Sequence, residues 1–204
     1  MKKIITAALL GLSLNSFADS SPLWLRFCSI APDGQTIAFS YKGDIFSVPV
    51  NGGTAKQLTT NPAYDAYPVW SPDGQKIAFA STREGSMDIY LMDKNGGVPK
   101  RLTTNSGSEI PMAFTDNDHI LFSSVIMPTA KSIFFASGTF PQTYEVDVNA
   151  SRPRLYSPMT MCDANVRSNG DILYHDVKGY EDNFRKHHRS PVTRDIWLYS
   201  KGNY

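Results

Sequence analysis

Two stretches of this chain are nearly identical, and their spacing limits the folds that the chain can adopt. Residues 31–40 read APDGQTIAFS, and residues 71–80 read SPDGQKIAFA. Self-similarity at a period of about 40 residues is typical of repeat architectures, in which each unit packs on the next one. We therefore expect further copies of the same unit along the chain.

Three sets of recurring residues mark the repeat. The first set ends an apolar run such as TIAF and consists of Phe39, Phe79, Phe122 and Tyr174. The second set lies within runs such as DIFSV and consists of Phe46, Tyr90, Tyr144 and Trp197. The third set lies in basic-flanked runs such as KQLTTN and consists of Leu58, Leu102 and Leu155. Each set returns after about 40 to 55 residues, which is the range of propeller blades.

The segments between these residues carry turn signals. Ser71-Pro72-Asp73-Gly74 suits a type I turn, because proline fixes φ at the second position and glycine accepts the left-handed position after it. Asn-Gly-Gly, at residues 51–53 and 95–97, indicates hairpins that need positive φ. The runs between these turns are short and rich in Ile, Val, Phe, Tyr and Trp, which favours strands over helices.

Each unit therefore reads as four short antiparallel strands, and the sequence predicts an all-β fold, a β-propeller of four-stranded blades. The blades fall at about residues 22–60, 61–104, 105–157 and 158–204. An immunoglobulin-like sandwich also has short, regularly spaced strands. A sandwich does not explain why LTTN returns 44 residues after its first appearance.

The last blade is predicted to be incomplete. The spacing of the third set places the next fourth-strand leucine at about position 209, beyond Tyr204. A propeller that stops inside a blade leaves an unpaired strand edge. We therefore expect this chain to be the front part of a longer protein.

The first residues are typical of a secretory signal peptide. A short basic start, MKK, precedes the apolar run IITAALLGLSL, and Ser16 and Ala18 place small residues at the −3 and −1 positions of a cleavage site. We predict a signal peptide over residues 1–18, a mature region over residues 19–204, and a periplasmic or secreted location. No later stretch approaches the ~20 apolar residues of a membrane span, so no span is expected after cleavage.

Charge and cysteine content exclude several functions. The 20 basic and 19 acidic residues give a net charge of +1, without a basic block that would indicate nucleic-acid binding. Cys28 and Cys162 fall in the first strands of the first and fourth blades. Because two whole blades separate them, we expect no disulfide and two mostly buried thiols.

No catalytic residue, metal site or cofactor is predicted. The chain has no G-x-S-x-G elbow and no H-E-x-x-H motif. His187 and His188 are adjacent, and no cysteine or further histidine lies at a ligand spacing from them. Whether this chain is an enzyme by itself is therefore left open by its motifs.

Extra sequence accumulates in one connection of the repeat. The second-strand and third-strand aromatic residues are 7, 11, 22 and 23 residues apart in successive units, whereas the third-strand aromatic residue and the fourth-strand leucine stay 11 or 12 residues apart. Alternate connections of an antiparallel blade lie on opposite faces. All the extra sequence is therefore expected on one face, which in repeat proteins is often the binding face.

The two long insertions supply a candidate interface. Its residues are Phe134, Phe135 and Phe140 of the third unit and Arg185, Lys186, His187, His188 and Arg189 of the fourth unit. Aromatic anchors beside a charged rim are typical of protein interfaces. The expected partner is the rest of the same polypeptide or another subunit. The alternative is that the aromatic residues pack back onto the third blade and the charges are solvated.

These strings resemble a known family of repeats. SPDGQKIAFAS and MDIYLMDKNGGVPKRLT are similar to the Pro-Asp propeller repeats shared by TolB, tricorn-type proteases and the propellers of some prolyl peptidases. The longer string ILYHDVKGYEDNFRKHHRSPVTRDIWLY resembles the N-terminal propeller of secreted tricorn-like serine peptidases. The resemblance runs from about Pro22 to the end of the chain.

The resemblance to tricorn-like peptidases implies a non-catalytic propeller that guides peptide substrates or mediates assembly, with the catalytic residues further along the polypeptide. The alternative is a periplasmic, TolB-like protein-binding scaffold. TolB carries an α/β domain before its propeller, whereas strands are predicted here directly after the signal peptide, which favours the tricorn-like reading.

Cleavage of the signal peptide is directly testable. If the chain is produced with its natural start in a bacterium and recovered from the periplasm, intact mass and N-terminal sequencing should show a chain that begins at Asp19. Replacing Ala18 with a bulky residue should block this cleavage. Recovery of the uncleaved chain from the cytoplasm would contradict the prediction.

Overall fold

The computed structural model describes residues 24–126, 141–175 and 196–200, and within these ranges it contains fifteen β-strands and no helix. None of these residues therefore forms a helix long and apolar enough to cross a membrane. The predicted signal peptide lies outside the described residues, as does most of each long insertion.

The strands form four antiparallel sheets, and the order of strands in each sheet follows the chain. Blade 1 contains β1 (Arg26–Ile30), β2 (Thr36–Tyr41), β3 (Asp44–Pro49) and β4 (Lys56–Gln57). Blade 2 contains β5 (Asp65–Trp70), β6 (Lys76–Glu84), β7 (Ser86–Asp93) and β8 (Lys100–Arg101). Blade 3 contains β9 (Ile110–Phe114), β10 (His119–Ser124), β11 (Gln142–Asp147) and β12 (Arg154–Ser157). Blade 4 contains β13 (Cys162–Val166), β14 (Ile172–His175) and β15 (Ile196–Tyr199).

This architecture confirms the predicted β-propeller. Three blades have four strands, and three strands of the fourth blade are described. The first strands of successive blades contact one another, β1 with β5, β5 with β9 and β9 with β13, so the blades are arranged around a common axis.

The Pro-Asp turn between the first two strands forms as its sequence predicts. In blade 2 the Gly74 N–H donates to the Ser71 carbonyl at 2.8 Å, and Gly74 has a φ of 66°. The Ser71 hydroxyl donates to the Asp73 carboxylate at 2.6 Å, and this bond lowers the pKa of Asp73 below its ordinary value. Blade 1 repeats the turn, with the Gly34 N–H donating to the Ala31 carbonyl at 2.8 Å.

The two sets of recurring aromatic residues are cross-strand partners in every blade. The pairs are Phe39–Phe46, Phe79–Tyr90, Phe122–Tyr144 and Tyr174–Trp197. In blades 1 to 3 the paired rings are stacked, with centroids 5.9, 6.0 and 5.8 Å apart. Offset aromatic pairs at this distance stabilise a sheet beyond the burial of their area. The repeat visible in the sequence is therefore the repeat of one packed pair.

The aromatic pairs of blades 2 and 3 also join each of these blades to the preceding one. Phe79 and Tyr90 of blade 2 pack with Ala38 and Ile45 of blade 1. Phe122 and Tyr144 of blade 3 pack in the same way with Ala78 and Ile89 of blade 2. Between blades 3 and 4, Leu121 packs with Ile172 and Tyr174. Burying one such side chain contributes about 1.5–3 kcal/mol, so these interfaces form the core of the molecule.

One of the predicted fourth-strand leucines is not equivalent to the other two. Leu58 and Leu102 are buried, whereas Leu155 is 45% exposed. The register explains the difference, because Leu155 pairs with Tyr144 in the way that Gln57 pairs with Phe46. The next residue, Tyr156, is half-buried and packs at the interface between blades 3 and 4.

The threonine that follows the buried leucine explains why LTT recurs. The Thr59 hydroxyl accepts a hydrogen bond from the Ile45 N–H at 3.0 Å, and the Thr103 hydroxyl accepts one from the Ile89 N–H at 2.9 Å. Each threonine thus satisfies a buried donor of the third strand at a point where the two-residue fourth strand has already ended.

The Asn-Gly-Gly hairpin of blade 2 lies against the fourth strand of blade 1. Lys56 donates from its Nζ to the Asn95 carbonyl at 2.8 Å. A Cβ atom on Gly96 would lie 2.9 Å from the Leu58 carbonyl oxygen, and Gly96 has a φ of 87°. Glycine is therefore required here for two reasons, the left-handed backbone and the close approach of the preceding blade.

We expect Gly96→Ala to destabilise the protein by about 2–4 kcal/mol, because it adds a steric clash to the left-handed strain. Gly52→Ala is the matched control, since Gly52 occupies the equivalent hairpin position with a φ of 84° and nothing within 4 Å of its added Cβ. The control should cost only about 1 kcal/mol. Urea unfolding of both variants measures the difference, and equal costs would contradict the blade-to-blade clash.

Candidate functional site

Residues of the four first strands, with two residues of second strands, line a cavity near the propeller axis. This axial cavity has a volume of about 490 Å³, within the range of ligand sites, and all four blades line it. Its lining includes Phe27 and Cys28 of β1, Tyr67 of β5, Pro111 and Met112 of β9, Cys162 and Asp163 of β13, and His175 of β14.

A second cavity continues along the axis toward the Pro-Asp turns. Its volume is about 630 Å³, and Pro32, Pro72 and Asn117 are among its lining residues. The two cavities share Ser29, Val69, Met112 and Asn165. These residues come from all four first strands, so one continuous lining follows the axis from one face of the propeller toward the other.

The side chains of the axial cavity are placed by a repeated irregularity of the first strand. The register of β1 with β2 shifts between Arg26 and Ser29, and corresponding shifts occur in blades 2 and 4. At each shift one residue has a left-handed backbone: Phe27 with a φ of 53°, Tyr67 with 57° and Asp163 with 48°. Each lies opposite the second-strand aromatic residue of its blade and lines the axial cavity.

Left-handed backbone is unfavourable for residues other than glycine, and such strain occurs preferentially at functional sites. Three equivalent strained residues around one cavity therefore mark the axial cavity as the candidate functional site. Blade 3 differs, because the equivalent position is Pro111, whose ring holds φ near −65°. Blade 3 still has a register shift in its first strand, because Pro111 pairs with Phe122 and Ala113 with Leu121, which leaves Met112 as the additional residue.

The side of the axial cavity formed by blades 1 and 2 is aromatic. The rings of Phe27 and Tyr67 are in contact, with centroids 3.9 Å apart. Burial raises the pKa of the Tyr67 phenol above its ordinary value, the negative charge of Asp163 adds to this shift, and Arg26 opposes it. Tyr67 therefore presents a neutral hydroxyl, which is both donor and acceptor, beside an apolar face.

The opposite side, formed by blade 4, is polar. His175 Nε2 lies 2.7 Å from the Asp163 carboxylate, and the Asp163 side chain is 88% exposed. A carboxylate held by a histidine at an exposed, strained position is available to a cationic or hydrogen-bonding group in the cavity. The arrangement is a binding surface with one aromatic wall and one acidic wall.

The cysteines depart from the expectation of burial. As predicted, no disulfide joins Cys28 and Cys162. Cys28 is exposed and Cys162 is half-buried, because both belong to first strands whose side chains line the axial cavity. The strand count placed the two cysteines in different blades correctly. It did not reveal which side chains of the first strands line the cavity on the axis.

The predicted interface residues lie outside the described residues. This applies to Phe134, Phe135 and Phe140 and to Arg185, Lys186, His187, His188 and Arg189. No sequence motif predicts the residues that line the axial cavity, because no two of the first strands share a motif. The signal that could have found them is positional: in each unit they lie opposite the second-strand aromatic residue.

A buried carboxyl group lies at the start of the innermost strand of blade 3. Glu109 is fully buried, and neither carboxylate oxygen forms a hydrogen bond with a described residue. Its backbone N–H donates to the Met87 carbonyl of blade 2 at 2.7 Å, which fixes it at the interface between the blades. Burial raises its pKa to about 7, the charge of Asp88 adds to this shift, and the charge of Arg101 opposes it.

The fold and the axial cavity together define a β-propeller scaffold with a ligand-sized site where its blades converge. The sequence matches the Tricorn protease N-terminal beta propeller domain over residues 22–204. The chain belongs to this family.

Individual relatives show that the same propeller is shared with TolB. The chain is 36% identical to Tricorn protease homolog 1 of Streptomyces coelicolor over 72 residues, covering 35% of this chain and 7% of that protein. It is 36% identical to the Tol-Pal system protein TolB of Desulfosudis oleivorans over 86 residues, covering 36% of this chain and 20% of that protein. This chain thus aligns with only a small part of each of these relatives.

Two solved structures have the same fold. A structure of putative TolB from Agrobacterium tumefaciens superposes with a TM-score of 0.62 and 26% identity, covering 85% of this chain and 60% of that one. The crystal structure of the tricorn protease superposes with a TM-score of 0.63 and 19% identity, covering 86% of this chain and 17% of that one.

The buried carboxyl of Glu109 predicts a pH-dependent stability. Since its folded pKa is about 7 and its ordinary value is 4.5, the folded chain binds the proton more tightly than the unfolded chain. Stability should therefore fall as pH rises from about 4.5 through about 7. Glu109→Gln removes the titration, and at about pH 8 we expect it to raise the free energy of unfolding by roughly 1–3 kcal/mol.

The measurement is the difference in urea-unfolding free energy between variant and wild type at several pH values between about 5 and about 8. Glu84→Gln, at an exposed position of blade 2, is the control and should change the free energy of unfolding at about pH 8 by less than about 0.5 kcal/mol. A constant difference across this pH range for Glu109→Gln would show that Glu109 does not carry the titration.

Proposed function

We propose that this chain is the non-catalytic propeller of an exported tricorn-like serine peptidase, in which the axial cavity binds and guides peptide segments. The observation that carries the proposal is the axial lining. Phe27, Tyr67 and Asp163, each with a left-handed backbone, place an aromatic pair and a carboxylate in one cavity. The chain also belongs to the family of the Tricorn protease N-terminal beta propeller domain. Export to the periplasm or beyond the cell is supported by the signal-peptide pattern of residues 1–18.

The chemistry of the axial cavity suits an extended peptide better than a compact polar metabolite. Phe27, Tyr67, Pro111 and Met112 offer apolar contact, and the continuous lining toward the second cavity gives room along the axis. Ser29 and Asn165 lie where the two cavities meet and can hydrogen-bond a peptide backbone. Catalysis belongs to another part of the enzyme in this proposal, and the propeller contributes binding.

The second candidate is a TolB-like periplasmic scaffold that binds a protein partner. A specific observation favours it, since the structure of putative TolB from Agrobacterium tumefaciens shares 26% identity over 85% of this chain and 60% of its own length. Either function uses the propeller as a binding module. The gene sequence after Tyr204 separates them, because a serine-peptidase region supports the first and its absence supports the second.

Peptide binding at the axial cavity is tested with fluorescein-labelled casein peptides. Phe27→Ala combined with Tyr67→Ala should weaken binding about tenfold or more in fluorescence anisotropy, because both aromatic contacts are lost. Trp24→Ala is the matched control, since Trp24 is an exposed aromatic residue outside the axial lining. Its affinity should equal that of the wild type.

Melting temperatures of all variants show whether the blades remain folded. If the folded double variant binds the peptides as tightly as the wild type, the axial cavity is not the peptide site. If the wild type binds no peptide, the guiding role is wrong.

A further inference from the structure

The irregular first strands bring corresponding side chains of all four blades to the axial cavity. In each blade the register shift leaves two first-strand residues opposite one aromatic residue of the second strand. These residues are Phe27, Cys28, Tyr67, Pro68, Pro111, Met112, Asp163 and Ala164, and all of them line the axial cavity. Asp163 is the one acidic residue of this set, and the set contains no basic residue. One blade therefore adds a charge at a position where the other three are uncharged.

The charge of Asp163 lies in a lining that contains no lysine or arginine among the described residues. Its partner is His175, and an ordinary histidine is mostly neutral at about pH 7. Arg26 is a basic residue near the aromatic wall, but it does not line the cavity, and its guanidinium lies over the ring of Trp24, 5.1 Å from the centroid. The described part of the axial cavity is therefore suited to a positively charged group.

The aromatic wall lies within electrostatic reach of Asp163. Burial raises the pKa of the Tyr67 phenol above its ordinary value, and the negative charge of Asp163 adds to this shift. The rings of Phe27 and Tyr67 are in contact, with centroids 3.9 Å apart, and both side chains are half-buried. Aromatic faces attract cations. The aromatic wall and the carboxylate can therefore act on the same positively charged group.

These groups suit an ammonium ion better than a metal ion or a guanidinium. Among the described residues, no group of three or more His, Cys, Asp and Glu side chains could hold a metal ion. Asp163 Oδ2 already lies 2.7 Å from His175 Nε2, which disfavours the two parallel hydrogen bonds that a guanidinium forms with a carboxylate. An ammonium is a compact charge with rotatable donors, and it needs no planar partner.

We infer that the axial cavity prefers peptide segments that carry an alkylammonium group, held by the Asp163 carboxylate beside the rings of Phe27 and Tyr67. This preference rests on the proposed peptide binding and names the group that the cavity selects. A free N-terminal amino group and a lysine side chain offer the same chemistry. Asp163 is the residue that determines the preference, and the aromatic pair supplies contact that a neutral peptide also obtains.

Asp163→Asn tests the role of the charge, because it removes the charge and keeps the shape of the side chain. Asparagine tolerates the left-handed backbone of this position, where φ is 48°, and its amide can still hydrogen-bond with His175. Asp93→Asn is the matched control, since it removes the same charge from an exposed position at the end of β7, outside the axial lining. Circular dichroism melts confirm that both variants are folded.

Three peptides of one sequence, with the same C-terminal fluorophore, are compared by fluorescence anisotropy with the mature chain. The first is N-acetylated and has no charged residue, the second has a free N-terminus, and the third is N-acetylated with one internal lysine. At about pH 7 an ordinary α-amino group is mostly protonated. The wild type and Asp93→Asn should bind at least one of the two charged peptides about three- to tenfold more tightly than the neutral peptide. Asp163→Asn should lose this preference and keep the affinity for the neutral peptide.

The three peptides also identify the source of the ammonium group. Tighter binding of the second peptide alone supports recognition of the N-terminus, and tighter binding of the third alone supports recognition of lysine. If the wild type binds all three peptides equally, or if Asp163→Asn keeps the preference, the selection of an ammonium group is wrong although peptide binding stands. If the wild type binds none of the three, the proposed peptide binding and this preference both fail.

Discussion

The aromatic pair that bridges the second and third strands is the interaction on which the rest of the structure depends. It fixes the register within a blade, since Phe79 lies opposite Tyr90 and Phe122 opposite Tyr144. It also supplies the side chains that pack on the preceding blade. Buried aromatic pairs contribute more than exposed ion pairs, which are worth about 0–1 kcal/mol. Because each blade contacts only its neighbours, stability in such a fold is close to a sum of these interfaces.

Two buried ion pairs of blade 2 have a different role. Asp65 pairs with Arg83 at 2.8 Å, and Asp88 pairs with Arg101 at 2.7 Å, with both carboxylates fully buried. The Arg83 guanidinium also lies over the rings of Phe79 and Tyr90, at 5.5 and 5.1 Å from their centroids. Buried ion pairs add little net stability. Their effect here is to hold a charged group against the aromatic pair in one arrangement.

The sequence predicted the propeller because turn chemistry and strand pattern both repeat along the chain. It could not predict the register of the last strand of blade 3, where Tyr156 rather than Leu155 packs against blade 4, because an irregularity in the ladder sets that choice. It also could not predict the axial site. Phe27, Tyr67 and Asp163 differ in chemistry and share only a position relative to the second strand. Their convergence follows from the arrangement of the blades.

In the irregular first strand, different residues pair with the second strand and line the axial cavity. The additional residue in Phe27–Cys28, or in Tyr67–Pro68, has no single partner on the second strand, so its side chain takes no part in the ladder that holds the blade together. The chemistry of the axial lining can therefore diverge without a change in the contacts between blades. A propeller of this kind can acquire a new ligand preference by substitutions at a few inner positions while its folding determinants stay constant.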